Sequence, residues 1–210
     1  MKGTTISARN KFNFLSLFKE NKAVLILLVF LIGGILIGSL LIRQKDGFAF
    51  LNAKSFFNNY FSSRTEATFF EIYIQSIVGI LPFLLLIFIF GASFIGYILV
   101  PIIISFKGVL IGMLSGYMYS VYAFKGIAFS ILMLLPICII TVFVLIISGR
   151  EALNFSSVVS RSITKYNNNE NVPANFKVYC FRNITLLFVL LVSSLIETLF
   201  CLCFLGFFDF

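Results

Sequence analysis

Two charged side chains stand where charge is expensive. Lys107 and Glu197 each lie inside a long run of apolar residues. A lysine and a carboxylate in such places can pair with each other, relay protons or mark the path of a solute. Few other groups are available for chemistry. The chain has no histidine, eight acidic residues and four cysteines, Cys138, Cys180, Cys201 and Cys203. Cys201-x-Cys203 alone is too small a ligand set for zinc. Small buried apolar side chains are the expected role for the cysteines within apolar runs. Glu71 and Glu151 fall at opposite membrane faces on the topology derived below, so they cannot work as a catalytic pair. No P-loop, HExxH or GxSxG pattern occurs. The expectation is a protein with no catalytic residues, no metal and no cofactor.

The surroundings of Lys107 and Glu197 explain why they stand out. Sixty per cent of the 210 residues are hydrophobic, 11% are charged, and mean hydropathy is +1.06. Soluble domains are about 45–50% apolar and about 25% charged. The excess cannot be buried in one small core, so the bilayer is the expected solvent. The net charge of +8 does not form a basic domain. The positive residues flank apolar runs, as topology signals do, which argues against nucleic-acid binding.

The fold class expected is all-α, a polytopic membrane protein of about five transmembrane helices. Residues 1–22 form a basic start. Residues 23–42 carry no charge and read as an uncleaved signal-anchor span, too long for a signal-peptide apolar core. Residues 43–71 are mixed in polarity. The charge-free stretch 72–106 is too long for one helix across a core of about 30 Å. Its turn is expected between Gly91 and Gly96, which gives spans near 72–91 and 97–119. Residues 117–125 read as an aromatic interfacial loop and 126–149 as span four, so that 72–149 is a three-helix core. Residues 150–182 are polar, with a loop at 167–173, and residues 183–210 hold span five (to about 206) and the C-terminus.

Lysine and arginine counts set the orientation. Segments 1–22 and 150–182 carry five each, 43–71 carries four and the 117–125 loop one. The positive-inside rule then places the N-terminus in the cytoplasm and the C-terminus outside. If 72–106 held only one span, there would be four spans and the C-terminus would lie inside.

On this topology Lys107 and Glu197 come to similar depths, about 5 Å apart, which a lysine stem can cover. They are expected either to form a buried pair or to act separately, with Lys107 reaching toward the interface and Glu197 protonated or facing water. Gly108, Gly112 and Gly116 line one helix face, and Gly34 and Gly38 repeat the spacing in span one. Such rows let another backbone approach closely. The partner is a helix of the same chain or of another one, in a homo- or hetero-oligomer. Phe50, Ala53, Phe57, Tyr60 and Phe61 recur at helical spacing in the outer loop, as a surface helix or a docking face. Leu153, Phe155, Val158, Val159, Ile163 and Tyr166 do the same in 150–166, as a helix on an anionic inner leaflet.

The stretch from Gly91 to Ser156 resembles the stage II sporulation protein M family. The resemblance rests on Phe106-Lys107-Gly108, then Gly112 and Gly116, Lys125-Gly126 and Leu135-Pro136. The layout of spans is also similar. Ile137-Cys138 departs from the polar residue expected after the Leu-Pro pair. The resemblance implies a membrane scaffold that holds peptidoglycan hydrolases at the septum during engulfment of the forespore. The partners it implies are a lytic transglycosylase and an amidase/endopeptidase, and the chemistry would be theirs. A small transporter or channel is the alternative, suggested by Lys107 and Glu197.

Overall fold

The computed structural model describes residues 22–43, 47–65, 67–131, 135–164 and 172–204. Six helices follow in order: α1 (Lys22–Leu41), α2 (Phe48–Thr65), α3 (Phe69–Gly91), α4 (Gly96–Phe129), α5 (Leu135–Thr164) and α6 (Val172–Phe204). All except α2 contain a stretch long and apolar enough to cross a bilayer. The chain is thus an all-α, multi-pass membrane protein. Its outer surface agrees with an apolar solvent, since Val29 and Leu40 on α1 are 68% and 64% exposed. Helices satisfy their own backbone groups, which lipid cannot do.

The most extensive pairing joins α1 to α4. Gly34 lies against the Ser105 carbonyl, Gly38 against Val109, Gly108 against Leu31 and Gly112 against Ile35. A Cβ at any of these four glycines would fall under 3.0 Å from a backbone oxygen. Residue numbers rise together along the contact, so the two helices run parallel. Gly116 lies past the tight part, where an added Cβ would meet Ser39 at an ordinary 3.4 Å. Side-chain hydrophobicity supplies little drive between helices in lipid, so close backbone packing carries this pair.

The turn between α3 and α4 spans residues 92–95, inside the expected Gly91–Gly96 stretch. The Ala92 N–H donates to the Phe88 carbonyl and the Ser93 N–H to that of Phe90. Tyr179 of α6 holds this end. Its hydroxyl donates to the Phe88 carbonyl at 2.9 Å, and its ring lies between Phe88 and Phe155 at 5.3 and 4.9 Å. Ser156 of α5 donates to the Ser93 carbonyl at 3.0 Å.

Several boundaries differ from the sequence reading. The 117–125 stretch is helical rather than a loop. Tyr117 is buried under α2, against Phe50 and Phe57, instead of being exposed in a loop. The break in α4 comes at Ala123, with φ 46° and ψ −119°, a strained conformation for a residue with a Cβ. Span four is shifted as well, to Cys138–Ser162, because neighbouring helices satisfy the polar groups that marked its expected end. Ser148 donates to the Asn183 amide oxygen at 2.8 Å, and Glu151 pairs with Arg182.

The part of the 150–166 pattern within the described residues, up to 164, is the continuation of α5. Leu153 and Phe155 are buried in the bundle, with Phe155 against Phe176 and Tyr179, and do not rest on a leaflet. Span five begins earlier than 183, within α6. The Tyr60, Phe61 and Ile163 side chains, Tyr166 and most of the 167–173 loop lie outside the described residues.

The glycine seam makes a direct prediction. Gly38→Leu should destabilise the detergent-solubilised protein by about 1–3 kcal/mol or more, through overpacking. Gly33→Leu, whose Cβ meets nothing within 4 Å, should stay within about 0.5 kcal/mol of the parent. Denaturation midpoints of the two variants in one detergent check this.

Candidate functional site

Helix α2, too polar to be counted among the spans, closes one end of the bundle. Ala53 and Phe57 are buried, and the Phe57 ring packs 5.8 Å from Tyr117 and 5.9 Å from Tyr122. Ile42, Ile72, Met118 and Cys201 complete this small core. After α2 the chain turns into α3, where the Thr68 N–H donates to Glu71 Oε2 at 2.8 Å. This satisfies a backbone donor at the helix start.

Arg64, one residue before the end of α2, points into the bundle. Its Nη2 lies 2.9 Å from Glu197 Oε1 and donates to Ser76 Oγ at 3.1 Å. Both charged side chains are almost fully enclosed, at 3% and 7% exposure. Of the two alternatives left open for Lys107 and Glu197, the direct pair is not formed: Glu197 takes Arg64 as its ion partner, which neither alternative foresaw. Sequence reasoning counted Arg64 only as an outer-loop charge. The available signal was its position, a few residues before the Thr68–Glu71 helix start and thus at the mouth of the span.

Lys107 occupies a different niche. Its Nζ sits 4.6 Å from the centre of the Phe83 ring, and Phe83 also stacks on Phe106 at 6.3 Å. A cation over a ring gains about 0.5–2 kcal/mol. Among the described residues no carboxylate lies within 4 Å of it. Lys107 lines a cavity of about 1120 Å³ bounded by α2, α3, α4, α5 and α6. Arg64, Ser76 and Glu197 share that cavity, while Ile74, Val78, Leu110 and Leu114 contribute to its apolar wall. The three charges sum to one net positive. The site can hold an anionic or acidic group inside an otherwise apolar enclosure.

The remaining sequence candidates fall around this centre. Gly34, Gly38, Gly108 and Gly112 lie in the α1–α4 seam and fix where α4 carries Lys107. Gly126 follows the Ala123 break and lies so close to the Met118 carbonyl that no Cβ would fit. Pro136 is in the first turn of α5, where its missing N–H has no helical partner to lose. The Lys125 side chain lies outside the described residues. No group of three or more His, Cys, Asp or Glu that could hold a metal occurs among the described residues, and the four cysteines are free.

The two cations in the cavity should respond differently to removal. Arg64→Ala leaves the Glu197 carboxylate buried without its cation and should cost about 3–5 kcal/mol. Lys107→Met removes a charge that membrane insertion penalises by about 2.5–3.5 kcal/mol, so its stability should equal or exceed the parent's. In double-mutant cycles with Glu197→Gln, coupling should be larger for Arg64 than for Lys107.

No curated protein and no solved structure matches the chain. The family model for Stage II sporulation protein M matches residues 12–201, which takes in all five spans except the last two residues of α6's Asn175–Cys203. The chain is accordingly a sporulation-related, multi-pass membrane protein and belongs to the stage II sporulation protein M family.

Proposed function

We propose that this protein is a non-catalytic membrane scaffold that holds peptidoglycan hydrolases at the septum during engulfment. The enzymes it would hold are a lytic transglycosylase and an amidase/endopeptidase. The carrying observation is the attachment of α2. A helix too polar to cross the membrane is locked onto one end of the bundle by the buried Arg64–Glu197 pair and by Ala53 and Phe57. Away from the bundle it presents Leu51, 56% exposed, beside exposed Lys54, while Phe56, 60% exposed, lines the edge of the cavity that holds Lys107. Apolar residues on a rigid platform suit protein docking. The lysine and arginine counts favour a cytoplasmic N-terminus, which puts α2 on the cell-wall side.

Two experiments test this reading. A photo-crosslinking amino acid at Leu51, which is exposed and does not line the cavity, should give adducts with either hydrolase in living, sporulating cells. The same group at Phe188, on the apolar mid-section of α6, should not. Absence of hydrolase adducts from positions 51 and 54 alike sinks the scaffold reading. For orientation, Lys54→Cys should react with a membrane-impermeant maleimide in intact protoplasts, beyond the labelling of the native cysteines. Arg161→Cys should react only after permeabilisation.

The charged cavity favours a second reading, a small transporter or channel, because intramembrane ionisable groups often mark pathways. Solute flux through reconstituted vesicles that disappears in Lys107→Met would support it over the scaffold.

A further inference from the structure

The cavity around Lys107 carries one net positive charge among the described residues, because Glu197 in its wall is taken up by Arg64 and no carboxylate lies within 4 Å of Lys107. The acidic residues within the described spans are all engaged. Glu71 accepts from the Thr68 N–H, Glu151 pairs with Arg182, and Glu197 pairs with Arg64. Among the described residues Lys107 has the Phe83 ring 4.6 Å from its Nζ and no ion pair of its own. Intramembrane lysines almost always pair with a carboxylate or a carbonyl, and the ring replaces only part of that.

Depth narrows what could supply the missing acid. Lys107 is eleven residues into α4, about 16 Å along the helix at 1.5 Å per residue. That is the middle of a hydrocarbon core about 30 Å thick. Lipid phosphates stay at headgroup level, about half that thickness away. A transmembrane helix, by contrast, carries side chains at every depth. The cavity, about 1120 Å³, has the volume of the two turns nearest Lys107 of a helix about 11 Å across, roughly 1000 Å³. Gly79 lines the wall, and a Cβ placed there meets nothing within 4 Å.

We infer that this cavity seats one transmembrane helix of a partner protein, whose mid-span Asp or Glu pairs with Lys107. A second copy of this chain does not fit the requirement, because its described spans offer no unengaged acid. The inference rests on the scaffold reading only in that a partner exists. It concerns the membrane interior, where no hydrolase domain reaches, so either can fail without the other.

The test uses the full chain, dye-labelled at exposed Cys203, in phosphatidylcholine vesicles. The probe is a labelled leucine–alanine helix about 20 residues long with one central Glu, compared with the same helix carrying Gln. Energy transfer should show the Glu helix binding about three- to thirtyfold tighter. Lys107→Met should erase that preference, and Lys107→Glu should transfer it to a helix with a central Lys. Gly79→Phe, which fills the cavity and leaves the charge, should weaken both helices. Equal binding of Glu and Gln helices overturns the inference, as does a preference that survives Lys107→Met. Displacement of the helix by phosphatidylglycerol at equal mole fraction would overturn it in favour of a lipid site. Lys107-dependent transfer between two labelled copies without peptide would overturn it in favour of self-association.

Discussion

Direct contact between the backbones of α1 and α4 is the constraint on which the rest of the bundle depends. In lipid, leucine gains little by leaving one apolar neighbour for another, so helices hold together through close packing and polar contacts. Gly34, Gly38, Gly108 and Gly112 remove the side chains that would keep these two apart. Once α1 and α4 are in register, α3 and α5 pack on their flanks, and α6 in turn packs against α3 and α5. Leu27, Leu31, Val100 and Ile104 from the glycine-linked pair form part of the common core. The contact also sets the depth and rotation of α4, and therefore where the ammonium group of Lys107 is presented.

Charge inside the bundle follows a second logic. Enclosing Arg64 and Glu197 carries a desolvation penalty that their mutual attraction and the Ser76 hydroxyl only partly offset. Such a pair is a poor source of net stability but a strong determinant of geometry, because either charge alone would be costly. Here it ties a non-spanning helix to the membrane-embedded core. At the opposite end, Tyr179 does similar work without charge, donating to a carbonyl at the end of α3 while its ring stacks between two phenylalanines. The two ends thus differ in chemistry: ionic beneath α2, aromatic and hydroxylic at the α3–α4 turn.

Much of this architecture was legible in the residues. The long apolar runs marked five spans, and the four-residue glycine spacing marked faces where backbones meet. The turn near Gly91–Gly96 followed from length alone, since 35 uncharged residues exceed one crossing. What the sequence could not show was which elements meet. Arg64 and Glu197 are far apart along the chain, and no local rule brings the end of α2 to the upper part of α6. Lys107 was the nearer candidate on depth, and packing overrode it. The boundaries of α4 and α5 were misread for a related reason. Polar residues such as Ser148, Glu151 and Ser156 look like span ends in isolation, but partners on α6 and at the α3–α4 turn let the helix run past them.

The parallel register of α1 and α4 has a consequence for how the polypeptide is assembled during synthesis. Partner positions such as Gly38 and Val109 are separated by about seventy residues, several seconds of translation at about 5–20 residues per second. The first helix, uncharged throughout its span, can leave the insertion machinery and wait in the bilayer. The later one bears a lysine near mid-membrane and is poorly suited to partition alone. The glycine face of the earlier helix is the surface against which that marginal segment finally packs, so loss of the seam would leave the lysine-bearing helix without its main neighbour.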